Sequence, residues 1–421
     1  VNGRSQYLPS SSAESGATAT ETIFKKITST SVSKLDEAGL SASDIGAASS
    51  ELVGTVVGSL GSAGISSSDV GGALDKITAG AIDSLDEISG FDVNSLGAAI
   101  DNITGGATAA LGDIEVTGFS SDNLSAMVEK VTSGATTALG NISMAGYSSD
   151  NLSSMVEKVT SGATGALGKI QMSGYDSADL TSMVEKVTAG ATASLGKIKM
   201  DGYDAADLSG MMEKVTAGAT EALGNIAMDG FSADNLTSMV EKVTAGATAA
   251  MGDIQMDGFS ADNLTSMVEK VTSGATASLG KIKMDGYDSS KLTGMMEKVT
   301  AGATASLGKI KMNGYDAGDL SGMMEKVTAG ATAALGNIEM DGFSADNISS
   351  FTDKIKSSAS GALGKIEMAG YDPNNIPTDL QNSINSGATS GTAQQAPILS
   401  DLTIISSANS FDSASSLALL S

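Results

Sequence analysis

The side chains best suited to chemistry in this chain are carboxylates. Asp201, Asp204 and Asp207 cluster in one turn region, and related turns carry Asp229, Asp257 and Asp285. Grouped carboxylate oxygens are calcium ligands, so Asp201, Asp204 and Asp207 are the candidate metal residues. Neither an EF-hand loop nor a nonapeptide calcium repeat is present, however. Asp204 and Asp207 also suit a helix start, where carboxylates favour the dipole. No cofactor is implied. A Glu-Lys pair, as in Glu185-Lys186, recurs; adjacent helix residues do not face each other, which reads as a solvated face. A methionine series that includes Met183 and Met200 reads as adaptable core filler. Asn123-Leu-Ser and Asn235-Leu-Thr fit glycosylation sequons. Recurrent threonines resemble the regular arrays that bind ice, though helix packing accounts for them.

The absences exclude more. Among 421 residues there is no His, no Cys and no Trp, and Arg4 is the only arginine. That removes thiol and Ser-His-Asp catalysis, disulfides and N/S zinc sites. No reaction centre, and hence no enzyme, is expected. A formal charge of -25 disfavours nucleic acid and anionic membranes and favours solubility. No run of 18 apolar residues exists to span a bilayer. Aromatics are 4% of the chain, so its core must be built from small aliphatics and methionine.

The elements that must position these residues are repeats. Gly-aromatic pairs stand at Gly118-Phe119, Gly146-Tyr147, Gly174-Tyr175, Gly202-Tyr203, and so on to Gly370-Tyr371, always 28 residues apart. Upstream, Gly90-Phe91, Gly64-Ile65 and Gly39-Leu40 continue the series at spacings of 28, 26 and 25. A fixed period of this size means a solenoid in which each unit buries its apolar face on its neighbours. The unit from Gly174 to Asp201 places Asp176 as helix N-cap with Asp179 in capping-box position. Leu180, Met183, Val184, Val187, Ala191 and Leu195 then follow at helical spacing. Gly196 comes next, where a left-handed C-cap would fall.

Lys197-Ile198-Lys199-Met200 alternates polar and apolar, which is strand period. A helix over 177–195 rises about 28 Å. An extended 196–203 covers about 26 Å and can return the chain to its start. The preferred expectation is therefore an α/β repeat solenoid of 28-residue helix-plus-short-strand units with parallel strands. The different spacings of strands and helices would curve such a solenoid, and small residues such as Gly190 would flatten it. The alternative is an all-α solenoid of helical repeats. Alternating up and down helices would then favour a 56-residue alternation in residue choice, which the order of Phe and Tyr does not show.

Four regions follow: a flexible 1–20, shorter divergent repeats over 21–117, the regular array over 118–390, and a linker and β-prone tail over 391–421. Val1 in place of an initiator Met suggests removal of a secretion signal or a sequence cut short at its start. The tail carries Ile398, Leu399, Leu402, Ile404, Ile405, Leu417, Leu419 and Leu420, the candidate subunit-linking residues. It reads as a cap on the last unit or as a strand added to another subunit. Near-identical units without a distinguished site point to an extracellular structural repeat protein. It would be a self-assembling subunit of a surface filament, fibre or sheath, partnered by itself, with a possible surface anchor. The alternative is a monomeric cell-surface adhesin or scaffold that binds on the solenoid face.

Overall fold

A computed structural model describes residues 11–143, 147–177, 179–200 and 202–395. Among them there are helices and no strands, which overturns the α/β expectation and leaves the all-α solenoid. The helices are α1 (Ser11–Glu37), α2 (Ala42–Gly58), α3 (Val70–Asp83), α4 (Val93–Ala109), α5 (Ser121–Ala138), α6 (Ser149–Ala166) and α7 (Leu180–Ser194). They continue as α8 (Leu208–Ala222), α9 (Ala233–Ala250), α10 (Ala261–Ser278), α11 (Ser289–Ser306), α12 (Leu320–Ala334), α13 (Ile348–Leu363) and α14 over 378–395. The small-residue run 387–395 lies within α14. Most units carry one helix, tightened at its end into a 3-10 turn such as Leu195–Lys197.

Each helix packs most extensively on the helix two units away, so odd- and even-numbered helices form two stacks. Within a stack the helices run parallel. Between α5 and α7, Ser125 meets Ser182 at 3.0 Å, Glu129 meets Lys186 at 2.6 Å and Ser133 meets Ser194 at 2.7 Å, in the same order along both helices. Consecutive helices run in opposite directions. The Tyr203 hydroxyl donates to the Leu195 carbonyl at 2.9 Å, which holds the start of α8 beside the end of α7. Tyr175, Tyr287, Tyr315 and Tyr371 repeat this bond to Leu167, Leu279, Leu307 and Leu363. Since α9 begins beside the start of α7, α8 must run back between them. The extended segment therefore turns a corner and does not retrace the helix.

Two physical reasons defeat strand pairing. Extended segments of consecutive units lie at opposite ends of the helices. Those two units apart share an end but are held at helix spacing, about 8–10 Å, roughly twice the separation of paired strands. The curvature expected from mismatched strand and helix layers disappears with the strands: both layers are helical and have the same spacing.

The 56-residue alternation is absent because up and down helices have equivalent surroundings. One unit maps onto the next by a half turn and a short advance along the array. Among the described residues, seven helices in each of two stacks give a body about 50–60 Å long. A continuous core of Leu180, Met183, Val184, Val187, Ala191, Leu195 and their equivalents fills the space between the stacks.

Candidate functional surfaces

The helix starts form a row along each edge. In Ser-type units the cap is reciprocal: the Ser120 N–H donates to Asn123 Oδ1 at 2.9 Å, within a capping box. In Asp-type units the Asp204 N–H donates to Asp207 Oδ2 at 2.9 Å, and Asp204 Oδ1 accepts the Ala206 N–H at 2.7 Å. Asp204 and Asp207 are thus engaged in helix initiation, and Asp201 lies outside the described residues. No group of three or more acidic side chains is placed to hold a metal ion among the described residues. The sequon residues Asn123 and Asn235 likewise use their side-chain oxygens in caps.

The two cap types alternate within a stack. Before α5, α7, α9, α11 and α13 the residues that follow the aromatic read Ser120, Asp176, Ser232, Asp288 and Ser344. Before α6, α8, α10 and α12 they read Ser148, Asp204, Ser260 and Asp316. As far as Asp316 this keeps the Asp carboxylates two stack intervals apart, beyond one Debye length at physiological salt; Asp372, before α14, breaks the alternation. The sequence period that matters is four units, which a search over two units misses.

The Glu-Lys pairs are not simply a solvated face. Glu185 reaches forward to Lys242 at 2.5 Å, while Lys186 reaches back to Glu129. Lys214–Glu157, Lys270–Glu213, Lys298–Glu241 and Lys326–Glu269 repeat the rung at 2.6–2.7 Å. Neighbours in sequence therefore serve different neighbours in space, and each stack carries a directional ladder of half-exposed ion pairs. Beside the ladder, Ala189, Ala193, Gly246 and Ala249 floor a groove on the odd stack. On the even stack, Asp101 lines a groove with Gly105, Gly162, Gly165 and Lys169. Burial pushes the Asp101 carboxyl up, while Lys158 and Ser161 act in the opposite direction.

Glycine is fixed by close approach at two places. A Cβ on Gly190 would stand 2.6 Å from the Glu129 carbonyl oxygen of the preceding helix in the stack. A Cβ on Gly196 would stand 2.6 Å from the Gln255 carbonyl oxygen of a later unit. Gly196 is therefore no left-handed cap. The left-handed glycines precede the aromatics, with φ of 85° at Gly174 and 82° at Gly202. Where Gly196 is replaced, by Asp86 or Asp36, the carboxylate accepts the approaching Ser143 or Ser89 N–H at 2.9 and 3.3 Å.

The ends differ from the middle, and sequence reading underused the signal. Thr30 in α1 and Thr55 in α2 occupy the position of Gly190. Their helices begin the two stacks and have no predecessor to approach. Ile23 and Ile27, equivalent to Met183 and Val187, are exposed on the face of α1 that inner helices bury. The recurrent threonines pack inside, as expected from helix packing: Thr188 and Thr192 are wholly buried. Met183 is core, and Met200 packs against it.

The tail residues Ile398, Leu399, Leu402, Ile404, Ile405, Leu417, Leu419 and Leu420 lie outside the described residues. No helix among the described residues is long and apolar enough to cross a membrane. A scan against known protein-family models gave no match for this repeat protein, and a search of curated proteins gave none.

Proposed function

We propose that this chain is a structural rod of the cell exterior that assembles with copies of itself into a filament, fibre or sheath. The observation that carries the reading is the equivalence of successive units. Each is packed, capped and bridged like the next, so the array supplies length and stiffness without singling out a reaction centre. Its charge of -25 keeps the sides of such rods from clumping, which leaves the ends to make contacts. The absence of cysteine suits an oxidising exterior, since no thiol is exposed to damage. The apolar tail beyond residue 395 is the proposed linker between subunits, and a surface anchor is compatible with this arrangement.

Negative-stain microscopy of the purified full chain tests the reading. Uniform fibres of one width are expected, and loss of 396–421 should abolish them. Isolated rods at all concentrations, together with a captured ligand, would instead favour an adhesin or scaffold binding on the solenoid face.

A further inference from the structure

The apolar surface of this molecule is concentrated at its ends. Among the described residues the exposed large hydrophobics are Ile23 at 56%, Ile27 at 47%, Leu40 at 38% and Ile376 at 41%. Ile376 belongs to the turn before α14, at the far end. Ile23, Ile27 and Leu40 belong to the first unit. Their exposure follows from position. In the inner helices the residue equivalent to Ile23 faces the preceding member of its stack: the Met127 Cε lies 3.5 Å from the place a Cβ would take on Gly71, and the Met155 Cε lies 3.4 Å from that place on Gly97. Among the described residues helix α1 has no preceding member, so Ile23 and Ile27, one turn apart, present the same seam to solvent. Lys26 lies between them at the position of Lys186. Lys186 reaches back to a glutamate; Lys26 has no carboxylate partner among the described residues.

The structure also restricts what can cover this seam. A further helix in stack register meets glycine at this contact in α3 to α12 and the small Ser358 in α13, whose hydroxyl donates to the Glu297 carbonyl, whereas α1 and α2 offer the bulkier, β-branched Thr30 and Thr55 there. A thinner, extended segment is not refused on that ground. Beyond the described residues the sequence is apolar and β-prone. Residues 397–405, PILSDLTII, carry five large aliphatics and one acidic residue, Asp401, and no base. Charge complementarity with Lys26 follows.

We infer that residues 397–405 of one copy dock on the Ile23–Lys26–Ile27 face of α1 in a second copy, joining rods head to tail. Length excludes the same-chain arrangement. The described part of helix α14 runs to 395, in the other stack and at the opposite end of the array. From there residue 398 reaches at most about 11 Å, against the 50–60 Å that separate it from α1. The link is heterologous, since donor and acceptor are different surfaces, and such a contact repeats into an open chain. This inference rests on the self-assembly reading above and adds the acceptor surface to it.

Two full-chain variants separate the halves of the contact. Ile23→Glu with Ile27→Glu removes the acceptor. Leu402→Glu with Ile404→Glu removes the donor. Circular dichroism should show native helix content in both, because the acceptor residues are exposed and the donor residues are not part of the described core. In sedimentation velocity the wild type should form a concentration-dependent series of oligomers. Each variant alone should sediment as a single chain. An equimolar mixture should form a two-chain species and nothing larger, because one intact donor and one intact acceptor remain. Wild-type association by the Ile23/Ile27 variant, or a mixture that stays single-chain, would overturn the inference. If only the donor variant loses association, the tail links subunits elsewhere, and the self-assembly reading survives without this acceptor. A wild type that is single-chain throughout would remove both.

Discussion

At the scale of single residues, glycine chemistry divides into three uses that look alike in sequence. Gly202 provides a left-handed turn, Gly196 admits a passing backbone, and Gly190 admits a neighbouring helix. Alanine favours a helix over glycine by about 1 kcal/mol. At position 190 that gain is opposed by contact with the Glu129 carbonyl, a backbone atom that cannot swing aside. Gly190→Ala should therefore lose about 1–3 kcal/mol, the usual cost of overpacking. Gly361, also helical, has no atom within 4 Å of an added Cβ, so Gly361→Ala should gain about 1 kcal/mol. Urea unfolding of the two variants measures both signs. The tyrosines give a second prediction. Burial pushes the Tyr175, Tyr203, Tyr287 and Tyr315 phenols above the ordinary tyrosine value of 10.0, and each hydroxyl donates to a helix-end carbonyl. The protonated form is favoured by folding. Its contribution is complete below pH 10 and is lost as the pH climbs from there towards the raised value, because the unfolded chain ionises first. Thermal unfolding should show a steeper fall above pH 10 in the wild type than in the fourfold Tyr→Phe variant.

At the scale of elements, the helices themselves were legible. Their apolar spacing and the glycine-aromatic turn appear where the sequence places them, but α7 starts at Leu180 with Asp179 as its N-cap, three residues after the expected Asp176, whose N–H donates to Asp179 Oδ2 at 3.0 Å. The connection was not legible. Lys197–Met200 has strand period, yet Ile198 is extended only because it packs its side chain on the core at a corner. Nothing in a single unit tells whether an extended segment returns or turns. The bond from Tyr203 to Leu195 decides it, and a tyrosine that recurs as phenylalanine gives no hint of such a bond. The same limit hid the ion-pair ladder, since Glu185 and Lys186 acquire partners 57 residues away. Because these groups are partly exposed, each rung is worth at most about 1 kcal/mol. Lys242→Ala should therefore lower stability by less than about 1 kcal/mol, and its effect should shrink further in 1 M salt, where screening is nearly complete. A loss several times larger at high salt would show that the lysine stem acts through packing.

At the scale of the whole molecule, the two stacks are interchangeable, and this predicts an unusual tolerance. Removing residues 202–229, a single unit, reassigns every later helix to the opposite stack. In a solenoid of unlike helix pairs that would ruin the register. Here the new neighbours bear the same Gly, Met, Val, Glu and Lys positions as the old. The shortened chain should fold cooperatively, with helix content per residue unchanged and the rod about 4–5 Å shorter by small-angle scattering. The expected residual cost is electrostatic, because the deletion disturbs the alternation of Ser and Asp caps. Aggregation, or loss of half the helical signal, would show that the stacks are not equivalent.

The half-turn relation between consecutive units has a last consequence for any ordered fibre in which these rods lie end to end along the fibre axis. Such a relation is an approximate twofold screw, which extinguishes odd meridional orders. X-ray diffraction from aligned material should show a strong arc near 4–5 Å and little intensity at the 8–10 Å helix spacing. Unit-to-unit differences, the Ser and Asp caps among them, break the screw, so whatever faint intensity lies at longer spacings would report side chains rather than the backbone.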